Sequence, residues 1–201
     1  MKKRIIALVC FAVVLSFVFG GTGTAGRTDM QEELLKFYEE NGVTYDMLVN
    51  QGWANETFFA LEKELDPTAY GSMYLDDDKN LVITYAPGRE DYVREMAEKF
   101  RTSKDQTIIF QQAKFTWEEL QYAFDRLCEL SDEEMRHYRI YSFCIIELEN
   151  YVDVWIGRSA YNDETLDYIR KHVGIDCLVF VELDDLEEGT PFIIDTATSR
   201  R

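Results

Sequence analysis

Tyr70-Gly71-Ser72-Met73-Tyr74-Leu75, then Asp76-Asp77-Asp78-Lys79-Asn80, then Leu81-Val82-Ile83-Thr84-Tyr85-Ala86 is the stretch that decides the fold of this chain. Two short runs rich in aromatic and β-branched residues flank a cluster of Asp, Lys and Asn, which reads as a hairpin. Leu81, Ile83 and Tyr85 fall on one face of the return strand, and Val82, Thr84 and Ala86 on the other. Pro87-Gly88 stops the strand. Glu90–Phe100 places Tyr92, Val93, Met96 and Phe100 at helical spacing, and 107–110 reads as a third strand.

The same order of elements returns at 138–183. Strands at 139–147 and 151–156 turn at Glu149-Asn150, a helix over 163–172 presents Leu166 and Ile169, and a strand covers 177–183. In the first of these strands Ile140, Cys144, Ile146 and Leu148 are expected to share a face; in the last, Cys177, Val179, Val181 and Leu183. One small unit used twice implies an α+β fold of two strand–strand–helix–strand repeats, 70–115 and 138–183. A helix after each hairpin closes back on its sheet by a right-handed crossover.

Around the repeats the chain reads as helix. Residues 28–66 form an N-terminal helical segment, opened by the capping-box spacing of Thr28 and Gln31, with a second helix expected over 55–65. Phe58, Phe59, Leu61 and Leu65 are its expected buried side. Thr116-Trp117-Glu118-Glu119 caps a linking helix with the stripe Trp117, Leu120, Phe124, Leu127 and Cys128, and Ser131-Asp132-Glu133-Glu134 caps a shorter one. The expected division is a signal peptide at 1–25, a helical segment at 26–66, a first α/β unit with its linking helix at 67–130, and a second unit with the tail at 131–201.

The first residues look like an export signal. Lys2, Lys3 and Arg4 precede an apolar run from Ile5 to Phe19, and Gly23 and Ala25 suit a cleavage site. The run is short for a bilayer span of roughly 20 residues. A secreted or cell-envelope location of bacterial type is therefore expected, with membrane attachment only if the segment stays uncleaved. Cleavage removes three cations and no acids, which takes the formal net charge from −17 to −20. Such a charge argues against nucleic acid and anionic lipid as partners; it favours solubility first and cationic partners second. A hydrophobic content of 46% argues for a packed core rather than disorder. Cys128, Cys144 and Cys177 remain after cleavage. That is too few for a disulfide-stapled module, so buried thiols are expected, with one Cys144–Cys177 bridge as the alternative.

Catalytic and metal signatures are missing at this level. Asp76-x-Asp78-x-Asn80 starts like a calcium loop, but Leu81 and Pro87 stand where the loop needs Gly and an acid. His137 and His172 each end an expected helix, where they favour the C-terminal dipole. Gly157-Arg158-Ser159 lacks the second glycine of a nucleophile elbow. Glu147-x-Glu149, Asp184-Asp185 and Glu187-Glu188 lie in turns and the tail, where acids are solvated rather than poised as a pair. No catalytic residue, metal site or cofactor is expected.

The first hairpin resembles that of the propeptide domain of α-lytic protease and streptogrisin-like serine proteases, which reads roughly G-G-x-Y-x-D…N-x-V-V-x-V-T. Phe115-Thr116-Trp117-Glu118-Glu119-Leu120 is similar to the Y-S-x-x-E-L that follows the third strand there. Glu149-Asn150-Tyr151-Val152-Asp153-Val154-Trp155-Ile156 resembles its second hairpin. The likeness spans about residues 70–183 and implies a secreted, non-catalytic protein-binding domain that assists the folding of a protease and then inhibits it. The partner so implied is a protein, a secreted serine protease first of all. No protease-like Gly-Asp-Ser-Gly-Gly stretch is present, so the role would be exercised in trans. In the resembled propeptides the segment after the last strand enters the protease cleft. Here that makes Pro191, Phe192, Ile193 and Ile194 the candidate partner-binding tail. The alternatives are an extracellular or envelope binding domain of other specificity, and a hydrolase with an unfamiliar site.

Overall fold

The structure, a computed structural model, describes residues 36–38 and 40–185. The expected signal peptide at 1–25, the 28–31 capping box and the candidate tail residues Pro191, Phe192, Ile193 and Ile194 lie outside the described residues. The described chain is an α+β fold with two three-stranded sheets of the same topology. Helix α1 (Tyr45–Leu61) leads into β1 (Tyr70–Leu75), β2 (Leu81–Tyr85), α2 (Glu90–Phe100) and β3 (Ile108–Gln112). Helices α3 (Trp117–Cys128) and α4 (Asp132–His137) lead into β4 (Ile140–Ile146), β5 (Tyr151–Gly157), α5 (Asp163–Val173) and β6 (Leu178–Leu183).

The repeat holds at the level of single residues. In each sheet the hairpin is antiparallel and the third strand joins the middle one in parallel after a helical crossover. Each hairpin carries one extra residue near the start of its first strand, where pairing shifts between Tyr70 and Met73 and between Ile140 and Ser142. The backbone N–H of Ala86 donates to the Ala69 carbonyl at 2.9 Å, and Gly157 donates to Arg139 at the same distance. Both hairpin turns hold a left-handed residue at the same place, Lys79 (φ 65°) and Asn150 (φ 60°). Ile83 pairs with Phe110 as Val154 pairs with Phe180. An arginine of each crossover helix lies over that phenylalanine, Arg94 at 4.2 Å and Arg170 at 5.0 Å from the ring centre.

Two helices cover one face of each sheet. Ala54 and Leu61 of α1 pack with Val93 and Ala97 of α2 against Met73, Leu81 and Ile83. Leu120, Phe124 and Leu127 of α3 pack with Ile169 and Val173 of α5 against Phe143, Val152 and Val154. The linking helix thus stands to the second sheet as α1 stands to the first, and both start at a threonine capping box, Thr44 and Thr116. The N-terminal helix begins ten residues before the expected 55–65 segment. Thr44 caps it, and it continues through Gly52, a buried position. Phe59, expected inside, is 46% exposed.

Trp117 joins the two cores. Its ring stacks on Tyr70 at 6.1 Å and packs against both clusters. Beside it, Asn150 accepts backbone N–H bonds from Lys114 (2.8 Å) and Phe115 (2.7 Å) on Oδ1, and donates from Nδ2 to the Phe115 carbonyl at 3.0 Å. Gly71 makes room for this joint: a Cβ there would lie 2.5 Å from the Ala113 Cβ and 2.7 Å from Asn150 Nδ2.

Two strand faces differ from the sequence expectation. In β4 the extra residue reverses the alternation, so Phe143 and Ile145 join Ile140 in the core while Cys144 and Ile146 turn to the other face. Leu148 is in the turn, 63% exposed. In β6, Leu178 and Phe180 pack on the core and Val179, Val181 and Leu183 face away, with Cys177 buried just before the strand. Cys144 and Cys177 therefore do not share a face, and no disulfide joins the described cysteines. Burial pushes the Cys177 thiol up to about 11.

Candidate functional site

Among the described residues no helix covers the second face of the second sheet, and this helix-free face is a part of the surface that core packing does not explain. Paired residues in a sheet point the same way. The register therefore places Ile146 with Tyr151, Cys144 with Asp153 and Val179, Ser142 with Trp155 and Val181, and Gly157 with Leu183 on this face. It is apolar, and Trp155 and Val179 are among the large hydrophobics left open to solvent, at 37% and 39%.

At its centre, on the middle strand, stands Asp153. Its residue exposure is only 9%, and Oδ1 has no hydrogen-bond partner. Burial raises the Asp153 carboxyl pKa above the usual range; the bond from the Trp155 indole N–H opposes this, and the charge of Glu149 adds to it.

The repeat supplies an internal control. Register equates Asp153 with Val82, Trp155 with Thr84, Cys144 with Tyr74 and Val179 with Ile109. In the first sheet Val82 is 1% exposed, and the polar groups of this face satisfy one another. The Ser72 N–H donates to Thr84 Oγ1 at 2.7 Å, and Tyr74 OH donates to Gln111 Oε1 at 3.3 Å. The fold therefore runs without a carboxylate at this position. In the second unit it carries one, buried among apolar side chains with Oδ1 lacking a hydrogen-bond partner. That arrangement costs stability in the isolated chain. Asp153→Val, which restores the residue of the first unit, should raise the unfolding free energy by about 1–2 kcal/mol at neutral pH. Because the folded carboxyl has a raised pKa, that cost belongs to its charged form, and the gain should shrink as the pH falls and the parent's Asp153 takes up a proton. Urea titrations of both proteins at neutral and acidic pH check this.

Where β6 ends, the chain leans onto the same face. Gly157 points its missing Cβ there, and one built on it would lie 2.5 Å from Asp185 Oδ1 and 2.7 Å from the Tyr141 hydroxyl. Asp185 takes the Arg139 guanidinium at 2.9 Å and the Ser159 hydroxyl at 3.0 Å. The bonds from Ser159 and the charge of Arg139 outweigh burial and hold its carboxyl below the usual range. An acid so held is a poor base, and neither histidine takes part. His172 Nε2 lies 2.7 Å from the Arg126 carbonyl, to which it can only donate, while Arg126 donates to the His172 carbonyl at 3.0 Å. Its ring is committed to tying the ends of α3 and α5 together. Among the described residues no group of three or more His, Cys, Asp or Glu can hold a metal ion, and no helix is long and apolar enough to cross a membrane.

A concavity of about 360 Å³ lies between α1, β1 and α3, lined by Phe58, Phe59, Tyr70, Tyr74, Trp117 and Glu147 among others. Its floor is the Tyr70–Trp117 stack that joins the units, so packing accounts for those aromatics. Burial, with the charges of Glu62 and Glu147, drives the Tyr70 hydroxyl pKa well up.

The expected tail residues Pro191, Phe192, Ile193 and Ile194 are outside the described residues, and the structure brings nothing to them. Sequence reasoning missed Asp153 because an acid alternating with valines in a strand looks like an ordinary solvent-facing residue. Aligning the two repeats, which sets it against Val82, is the signal that finds it. No family model matches the chain, and no curated protein matches it significantly.

Proposed function

We propose that this chain is a secreted, non-catalytic protein-binding domain, and that it binds through the helix-free face of its second sheet. The observation that carries the reading is the contrast between the two repeats. The first closes the face with Val82 and paired hydroxyls, whereas the second leaves Trp155 and Val179 open to solvent around a buried carboxyl whose Oδ1 has no hydrogen-bond partner. An exposed apolar surface of this kind is what interaction sites present. The resemblance to protease propeptides supports a secreted serine protease as the partner, and an inhibitor or folding helper acting in trans as the role. An envelope or extracellular domain of other specificity would use the same face.

Adding the protein in equimolar amount to secreted chymotrypsin-fold proteases tests this. The expected result is slowed peptide hydrolysis, or a higher yield of active protease on refolding, and its loss with Val179→Glu. Peptidase or esterase activity of the purified protein itself, abolished by Ser159→Ala, would instead make it a hydrolase.

A further inference from the structure

Packing accounts for the Tyr70 ring on the floor of the cavity between α1, β1 and α3, but not for its hydroxyl. The residue is 5% exposed, and the hydroxyl makes no hydrogen bond among the described residues. It is not sealed from water either, so it opens on the cavity that Tyr70 lines. The repeats show that the fold needs neither this hydroxyl nor an unpaired acid beside it. Register sets Tyr70 against Ile140, an apolar residue fully buried in the second core. The two equivalent helices each end on a glutamate. Glu129 closes α3 and pairs with Arg126 in its last turn. Glu62 closes α1, which has no basic residue in its last turn, and makes no ion pair among the described residues.

We propose that this cavity binds a primary ammonium group on an apolar stem, with its N–H donors on Tyr70 and Glu62 and its stem against Phe58, Phe59 and Trp117. Glu62 lines the space together with Glu147 from the turn of the second hairpin, and the charges of both reach the Tyr70 hydroxyl. The carbonyl end of α1 adds the negative end of its helix dipole. Among the described residues no lysine, arginine or histidine lines the cavity. A primary ammonium carries three donors and no acceptor, which suits a hydroxyl oxygen beside carboxylates. Phe58 and Phe59 meet edge to face at 5.6 Å, and Phe59 is 46% exposed, so the wall that α1 contributes is aromatic and favours a cation and an apolar stem alike. The volume of about 360 Å³ falls at the lower end of small-molecule sites, roughly 300–1,000 Å³. A free alkylamine and a lysine side chain share this chemistry. The site lies in the first unit and at the joint, and it does not depend on the helix-free face of the second sheet.

The test titrates the full chain at neutral pH with n-pentylamine and with n-pentanol, which keeps the stem and lacks the charge. Binding is followed by NMR on the ring signals of Phe59 and Trp117. The amine should bind about tenfold more tightly than the alcohol, as charge-assisted hydrogen bonds imply. Tyr70→Phe, which keeps the stacked ring, and Glu62→Gln should each cut that preference by about threefold or more while the thermal midpoint holds. Glu133→Gln makes the same charge change on α4, outside the cavity lining, and should leave the preference intact. Nα-acetyl-lysine N-methylamide separates the two sources. Weaker binding of this derivative than of pentylamine assigns the site to free amines, and tighter binding assigns it to a lysine of a partner protein; either supports an ammonium site. Equal affinity for amine and alcohol overturns the proposal, as does an amine that moves neither ring. So does a preference that survives both Tyr70→Phe and Glu62→Gln, or that falls as far with Glu133→Gln.

Discussion

Truncating Trp117 to alanine should lower the unfolding free energy by about 3 kcal/mol, the scale of a large aromatic removed from a packed site. It should also split a single unfolding transition into two. Trp117 packs on both hydrophobic clusters and stacks on Tyr70 of the first sheet from the start of a helix that belongs to the second core. The cavity therefore opens at the joint, and each repeat keeps its own two helices and three strands. Near-ultraviolet and far-ultraviolet circular dichroism in urea check this: the parent's two curves should coincide and the variant's should separate. Phe124→Ala, which sits within the second cluster, should destabilise without splitting the transition.

Asn150→Ala should cost about 2–3 kcal/mol, from two orphaned backbone donors, one orphaned carbonyl and a left-handed backbone that alanine dislikes. Asn150 is 5% exposed and spends its amide on Lys114 and Phe115, the segment that connects the repeats. Lys79 holds the same left-handed position in the first hairpin, but there the turn points to solvent and binds no linker. Lys79→Ala exchanges one residue that dislikes this conformation for another and should cost little, while Asn150→Gly should show only the hydrogen-bond part. If Asn150→Ala proves no worse than Lys79→Ala in thermal melts, the turn does not hold the units together.

Much of the fold was legible because the strands alternate and the helices announce their starts. Thr116 and Ser131 cap helices where their capping boxes place them, and Pro87-Gly88 separates β2 from α2 as read. The faces of β4 and β6 were less legible for two physical reasons. A bulge in β4 inserts one residue and flips every side chain after it, and no residue type there marks it. In β6 both alternating sets, Leu178 with Phe180 and Val179 with Val181, are apolar, so a period of two cannot choose between them. That second ambiguity hid the site: a strand apolar on both sides signals that its second face also meets something. Asp153 became visible only when register set it against Val82.

The direct measurement is NMR mapping of the folded protein on titration with a secreted chymotrypsin-fold protease that it slows. The largest shifts should fall on the Trp155 indole N–H and on the amides of Asp153, Val179 and Val181, with the first sheet unmoved. Shifts confined to the aromatic groove around Phe59 and Tyr74, or to the first sheet, with Trp155 and Val179 still open to solvent, would contradict the helix-free face as the binding surface.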